Sequence, residues 1–287
     1  NMYIANPIYD VVFKFMMEDE KVAKSFLSAI IGEEVLEVDF SYRKPIVLPE
    51  AVKKKEEEKE TVFLTVCRFD FIAKISLPGG DFKTVIIEVQ KAKLSSDIMR
   101  FRRYRERYFQ NTADTYDSIY CIFLLTCEAG FTGHPLIQLD ANSRRVQDVT
   151  TKEDLYAGDN EFVQSLHYRS WIVQIDQIKQ QCRNDIEKLL SIFDQNRLAK
   201  SHYTFNNYIL KVDEDDFPEI YSHIIHHLWA YEDEQMIMQI EGEIDYWSVI
   251  QMQERLIAAL DKIIESQKEI EEQNKTVKKL NKWLGRS

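Results

Sequence analysis

Three polar residues, Asp70, Glu88 and Gln90, stand within two of the most apolar segments of this 287-residue chain. Asp70 lies in TVFLTVCRFDFIAKISL (residues 61–77), and Glu88 follows three β-branched residues in FKTVIIEVQ (residues 82–90). Burying a carboxylate without a partner is costly, so each acid is expected to have a partner or a metal ion. These positions are the strongest candidates for chemistry.

The spacing of these residues suits a metal site on a β-hairpin. Glu88 and Gln90 share one face of a strand because strand side chains alternate, and a hairpin would bring Asp70 close to Glu88. Two carboxylates that meet there can hold Mg²⁺ or Mn²⁺, which prefer hard oxygen ligands. The backbone carbonyl of Val89 can add another ligand.

The surrounding pattern predicts an α/β sandwich around one mixed sheet. The predicted elements are a helix at residues 7–31, a strand and loop at 35–48, strands at 61–77 and 82–90, a basic helix at 95–111 and a buried fourth strand at 118–127. Pro78-Gly79-Gly80-Asp81 is typical of a turn and makes the second and third strands a hairpin. The first helix is expected to start at Asn6-Pro7, to break near residues 18–20 and to end at Gly32. The fourth strand follows a helix, which favours parallel pairing.

The net charge of −11 belongs to one segment. Residues 213–245 contain eleven acids and no Lys or Arg, which leaves 37 acids against 37 bases in the rest of the chain. By contrast, KAKLSSDIMRFRRYRER (residues 91–107) has seven bases and two acids. Arg binds phosphate through two parallel hydrogen bonds, so this segment suits a polyanion. A solvated helix face that pairs with the acidic segment is the alternative.

Four motifs in order resemble those of a known family. They are NPIYDVVFK (residues 6–14, with Asp10 and Lys14), RFDFIAKI around Asp70, IIEVQ with Glu88, Val89 and Gln90, and Arg100-x-x-x-Tyr104. This order resembles the PD-(D/E)XK nuclease superfamily and, more narrowly, the bacterial PD-(D/E)XK family transposases, also called recombination-promoting nucleases. The resemblance covers roughly residues 6–130.

The resemblance implies a restriction-endonuclease-like core, which we place at residues 1–175, and an Mg²⁺- or Mn²⁺-dependent DNA endonuclease linked to recombination or mobile elements. Asp70, Glu88 and Val89 would hold the metal, and Gln90 and Lys14 would be catalytic. The DNA-binding residues would be Asp10, Arg100, Arg103 and Tyr104.

Gln90 stands where the superfamily pattern has Lys, although the narrower family commonly has Gln there. A Gln amide can orient the attacking water but supplies no cation to the transition state. Lys14, Lys91 and Lys93 are open candidates for that cation.

The end of the chain has a seven-residue period formed by large aliphatic residues: Val249, Leu256, Ile263, Ile270, Val277 and Leu284. A sustained heptad indicates a coiled coil. We expect a helical region at residues 176–245 and a coiled-coil tail at residues 246–287 that forms a homodimer.

Several observations favour a cytoplasmic protein without a membrane segment. No apolar run approaches 18 residues, and the first residues do not resemble a signal peptide. The four cysteines have no C-x-x-C spacing and are expected to be free thiols in a reducing compartment.

Two rival functions remain from the sequence. In the first, Asp70 and Glu88 are buried structural partners of Arg68, Lys74 or backbone donors, and the protein is a nuclease-like interaction protein with a degenerate or regulatory site. A cation beside these two acids would favour the enzyme. The second rival is a phosphodiesterase that acts on RNA or nucleotides.

Overall fold

The computed structural model describes residues 2–42, 66–92, 118–126, 129–140, 142–158, 160–164, 166–178, 182–199, 208–229 and 234–283. The chain divides into two compact units, Asn1–Glu232 and Asp233–Ser287. The predicted boundary at residue 175 lies inside the first unit, and the boundary at residue 245 lies inside the second. The predicted helix at residues 95–111 lies outside the described residues.

The described strands are β1 (Met2–Ala5), β2 (Val35–Tyr42), β3 (Val66–Ser76), β4 (Phe82–Ala92), β5 (Ser118–Leu125), β6 (Leu136–Leu139), β7 (Val146–Asp148), β8 (Arg169–Gln174) and β9 (Ile209–Val212). The described helices are α1 (Asp10–Glu18), α2 (Glu20–Ile31), α3 (Glu161–Gln164), α4 (Asp185–Leu190), α5 (Ser222–Leu228) and α6 (Glu234–Trp283). Short 3₁₀ turns connect several of them.

Seven of these strands form one mixed sheet in the order β2-β3-β4-β5-β8-β6-β7. The β2, β3 and β4 strands run antiparallel to one another, whereas β5 runs parallel to both β4 and β8. The predicted mixed sheet, the hairpin at residues 78–81 and the parallel fourth strand are therefore confirmed. The finer prediction of a nuclease-like core stays a prediction.

One face of this sheet is covered by α1 and α2. The buried side chains on β3 and β4 stand at odd-numbered positions, among them Phe71, Ile87 and Val89. Lys91 continues this row, and its ammonium lies 5.4 Å from the centre of the Phe13 ring on α1. Regular alternation along β4 therefore fixes which positions face α1.

The other face is covered over β5, β8 and β6 by side chains from the segments that precede β6 and follow β7. Its core includes Cys121, Phe123 and Ile172 from the strands, with Phe131 and Val163 from the covering segment. Cys121 is buried and forms no disulfide, as the sequence predicts.

The start of the first helix differs from the prediction. Helix α1 begins at Asp10 rather than at Pro7, because Asn6 closes a turn instead of capping a helix. The Asn6 side chain accepts a hydrogen bond from the Ile8 N–H at 3.1 Å, and its carbonyl accepts one from the Tyr9 N–H at 3.3 Å. The predicted break near residue 19 and the stop at Gly32 are confirmed.

The described part of residues 176–232 is less helical than the sequence suggests. It contains α4, α5, several 3₁₀ turns and β9, which pairs antiparallel with β1. None of the described helices combines the length and the apolar composition that a membrane-spanning segment needs.

Candidate active site

The backbone register of β3 and β4 sets Asp70 directly opposite Glu88. The next pair on the same face sets Arg68 opposite Gln90. Residues directly opposite each other in an antiparallel pair have Cβ atoms about 4.5–5.5 Å apart. The expectation that the hairpin brings Asp70 close to Glu88 is therefore confirmed at the level of the backbone.

The strand positions 70, 88 and 90 alternate with the buried positions 71, 87 and 89. Because strand positions alternate between the two faces, positions 70, 88 and 90 belong to the face opposite to that of α1. The Val89 side chain is fully buried on the α1 face. Only the backbone of Val89 is therefore available to a site on the other face.

The neighbouring strand makes position 88 a demanding place for a carboxylate. Cys121 on β5 pairs with Glu88, and Phe123 pairs with Gln90. Both β5 residues are buried in the apolar core, at 0% and 3% exposure. A charge beside such neighbours loses hydration on that side, so it requires a compensating cation or hydrogen-bond donors.

The site lies near the carboxyl ends of β4 and β5. Glu88 and Gln90 are the fifth-last and third-last residues of β4, which ends at Ala92 and runs parallel to β5. The crevice outside the carboxyl ends of parallel strands is the usual binding place in open α/β sheets.

The structure places Lys91 away from this face. Its side chain is 4% exposed, and the ammonium donates hydrogen bonds to the Ile8 carbonyl at 2.5 Å and to Asp10 Oδ1 at 2.8 Å. The weaker contact to the Pro7 carbonyl is 3.4 Å long. As a candidate for the site cation, Lys91 is therefore wrong, because its odd-numbered position turns it towards α1.

Asp10 and Lys14 both lie on α1. Asp10 is the ion-pair partner of Lys91, and Lys14 forms a half-exposed ion pair with Glu18 at 3.5 Å. The register thus sets the backbone positions of Asp70, Glu88 and Gln90 next to one another, and Asp10 lies with Lys91 on the α1 side of the sheet. The predicted roles of Asp10 and Lys14 stay predictions.

Several predicted site residues lie outside the described part of the chain: Lys93, Arg100, Arg103 and Tyr104. The described side chains include no group of three or more His, Cys, Asp or Glu that could hold a metal ion. The side chains of Asp70 and Glu88 do not belong to the described part of the structure.

Arg68 is a further candidate residue, which the sequence alone does not single out. It stands two positions before Asp70, and the register sets it against Gln90. The signal was the R-x-D spacing on an alternating strand, which places both residues on one face. From the sequence, Arg68 is expected only as one possible structural partner of Asp70 and Glu88.

A second group of charged residues lies near the opposite end of the α1-covered face. Glu33 pairs with Lys83 at 2.8 Å and also contacts Arg169, whose guanidinium lies 5.0 Å from the Trp171 ring. Burial disfavours ionisation of Glu33, but Lys83 and Arg169 outweigh it and lower the pKa of this carboxyl. This group carries its own counter-charge, which favours a structural role.

A third group surrounds Asp148, which is fully buried. Asp148 accepts hydrogen bonds from His134 Nδ1 at 2.6 Å, from Arg183 at 3.0 Å and from the N–H groups of Thr150 and Thr151. Burial opposes ionisation, but these donors outweigh it and hold the pKa of Asp148 below its ordinary value. The carboxylate thereby fixes the turn that follows β7.

Comparison with known proteins adds no identity to these observations. No protein-family model matches the chain. Neither the curated proteins nor the solved structures contain a match.

Proposed function

We propose that this protein is a metal-dependent DNA endonuclease with its centre on the β3–β4 hairpin. The observation that carries the proposal is the register that sets Asp70 opposite Glu88 on a central part of the sheet. The ordered resemblance to PD-(D/E)XK nucleases supports it, as does the net positive segment at residues 91–107.

The donor set fits a hard divalent cation. Asp70, Glu88 and the Val89 carbonyl offer only oxygen ligands, which Mg²⁺ and Mn²⁺ prefer. Cys121 and Phe123 leave position 88 poorly hydrated on one side, so a cation there compensates the carboxylate. When bound, the ion polarises the scissile phosphate and lowers the pKa of an attacking water.

Gln90 and Arg68 have two further roles in this proposal, the orientation of the attacking water and the supply of positive charge. The Gln90 amide accepts and donates hydrogen bonds, so it orients the attacking water without contributing charge. Arg68, opposite Gln90, supplies the positive charge that Gln90 lacks and stabilises the charge that develops on the phosphate. Lys93 remains another candidate for this cation, whereas Lys14 belongs to α1, on the same side of the sheet as Lys91.

The interaction protein is the second candidate function. The observation in its favour is that Lys91, the lysine next to Gln90, is engaged with Asp10 on the other face. In that case the two acids stabilise the hairpin and no phosphodiester bond is cut.

Cleavage of labelled duplexes of DNA and RNA tests the proposal. We expect nicking of DNA that requires Mg²⁺ or Mn²⁺, stops with a chelator and is little reduced by competing RNA. Arg68→Gln should lower kcat strongly while Mn²⁺ affinity stays within a few-fold, and Arg68→Lys should recover part of the rate. Preferred cleavage of RNA would favour the second rival, and no cleavage by folded protein would favour the interaction protein.

A further inference from the structure

We propose that α6 pairs with α6 of a second copy of this chain in an antiparallel orientation. The helix has 50 residues and spans about 75 Å at 1.5 Å per residue. Along it, seven large apolar residues of one seam are 51–75% exposed: Val249, Met252, Leu256, Ile263, Ile270, Val277 and Leu280. The pairing concerns the second compact unit and does not depend on the proposed nuclease activity.

The seam has large residues at one heptad position and small or polar residues at the other. With Val249 at position a, the a positions are Val, Leu, Ile, Ile and Val through residue 277. The d positions between Met252 and Leu280 are Ala259, Ser266 and Gln273. This asymmetry between a and d decides the orientation of the partner.

In a parallel pair, each a residue packs against the same a residue of the partner, and each d residue packs against the same d residue. Ala259, Ser266 and Gln273 would then each face their own copies, which gives three consecutive weak layers. An antiparallel pair sets a against d. In the register that places Val249 against Leu280, each of these three residues faces a large aliphatic side chain of the second copy, namely Ile270, Ile263 and Leu256.

The flanking charges favour the same orientation. In the antiparallel register the g position of one helix lies beside the g position of the other. Lys262 then meets Glu269 of the second copy, and by symmetry Glu269 meets Lys262. A parallel pair instead sets each g beside the e position five residues later, where Lys262 would meet Gln267 and Glu269 would meet Asn274. The parallel arrangement gains no ion pair at either place.

The ends of the helix are also complementary in charge. Residues 234–254 carry five acids and no Lys or Arg, whereas residues 273–283 carry four Lys and no acid. Acids near the N-terminus and bases near the C-terminus stabilise the dipole of a single helix, whatever its assembly. In the register above, residues 273–283 of one helix lie opposite residues 246–256 of the other, which sets the basic end close to Asp245 and Glu254. A parallel pair instead sets the acidic ends side by side.

Charge reversal in the full chain tests the orientation. We compare Lys262→Glu, Glu269→Lys and the double variant by sedimentation equilibrium, with Lys268→Glu as the control at the outward f position. Each single variant turns two attractions into two repulsions and should raise the dimer dissociation constant about 5- to 20-fold. The double variant should return to within about 2-fold of the wild type, and Lys268→Glu should change it little.

Mixing the two single variants gives the sharpest readout. Their antiparallel heterodimer has both ion pairs restored, so the mixture should form mixed dimers in preference to either homodimer. Circular dichroism checks that each variant keeps the helix content of the wild type. A wild type that stays monomeric at tens of micromolar overturns the proposal. A dimer whose single variants show neither rescue nor preferential mixing also overturns it.

Discussion

Lys91 shows how a single strand position decides the role of a residue. From sequence, Lys91 is a candidate for the site cation because it follows Gln90. In the structure its odd-numbered position turns it towards α1, where it is almost completely buried against Asp10 and the Ile8 carbonyl. The period of two along β4 could have predicted this face, because Val85, Ile87 and Val89 form a continuous apolar row.

Replacing Lys91 should therefore affect stability. Lys91→Met leaves Asp10 and two backbone carbonyls without this donor, and removing one partner of a buried ion pair costs about 3–5 kcal/mol. Because Asp10 is a quarter exposed, we expect Lys91→Met to lower the free energy of unfolding, measured in urea, by about 2–3 kcal/mol. Lys74→Met is the matched control on the neighbouring strand, since its ion pair with Glu37 is more exposed. A loss below 1 kcal/mol for both variants would contradict this account of Lys91.

Asp148 should make the protein sensitive to acid. The pKa of Asp148 is lower in the folded chain than the ordinary value of about 3.9. Its ionised form therefore stabilises the fold above that value, and the stabilisation is lost as the pH falls through the folded pKa. Asp148→Asn should lower the free energy of unfolding at pH 7 and reduce its decline between about pH 5 and pH 2.

Urea unfolding of Asp148→Asn across this pH range measures the effect. Asp154→Asn is the control, because Asp154 pairs with Arg145 and is 62% exposed. The same pH dependence in both variants and in the wild type would contradict this role of Asp148.

At the scale of elements, local turn chemistry was the most reliable guide. Pro78-Gly79-Gly80-Asp81 predicted the hairpin, and Gly79 and Gly80 indeed have φ angles of +101° and +90°. Short strands were missed: β6, β7 and β9 have three or four residues, too few for alternation to separate a strand from a loop. Their existence depends on pairing with distant segments such as β8 and β1.

Gly32 should be difficult to replace because it ends α2 with a φ of +70°. A Cβ there would meet nothing within 4 Å, so the cost of Gly32→Ala is backbone strain alone, about 1 kcal/mol. Gly32→Asn should cost less, because Asn tolerates this conformation. Urea unfolding followed by tryptophan fluorescence measures both variants.

Gly242→Ala is the control for this change. Gly242 lies inside α6 without a positive φ, and a Cβ there also meets nothing within 4 Å. Ala favours a helix over Gly by about 1 kcal/mol, so this variant should not destabilise the chain. Equal losses for Gly32→Ala and Gly242→Ala would exclude backbone strain as the cause.

At the scale of the molecule, the sequence predicted more of the sheet than of the site. The β3–β4 hairpin and the Asp70–Glu88 pair follow from alternation and one turn, both of which are local signals. The choice of the site cation depends on which face of the sheet each base occupies, so it required knowledge of the strand register.

Two residues of the acidic segment form ion pairs with side chains of the same compact unit. Asp216 pairs with Arg197 and Glu214 with His226, each at 2.9 Å.

Nicking of supercoiled plasmid DNA tests whether Asp70 and Glu88 form a nuclease centre. Wild type is compared with Asp70→Asn and Glu88→Gln, which keep the size of each side chain and remove its charge. Asp39→Asn is the control, because Asp39 is an exposed acid on the adjoining strand β2.

We predict that wild type and Asp39→Asn nick the plasmid only with Mg²⁺ or Mn²⁺. The rate should fall by at least about 100-fold in Asp70→Asn and in Glu88→Gln, because each loses a ligand of the ion that stabilises the transition state. Cleavage that survives in both variants, or no cleavage by well-folded wild type across metals and pH, would contradict the claim that these two acids form a nuclease centre.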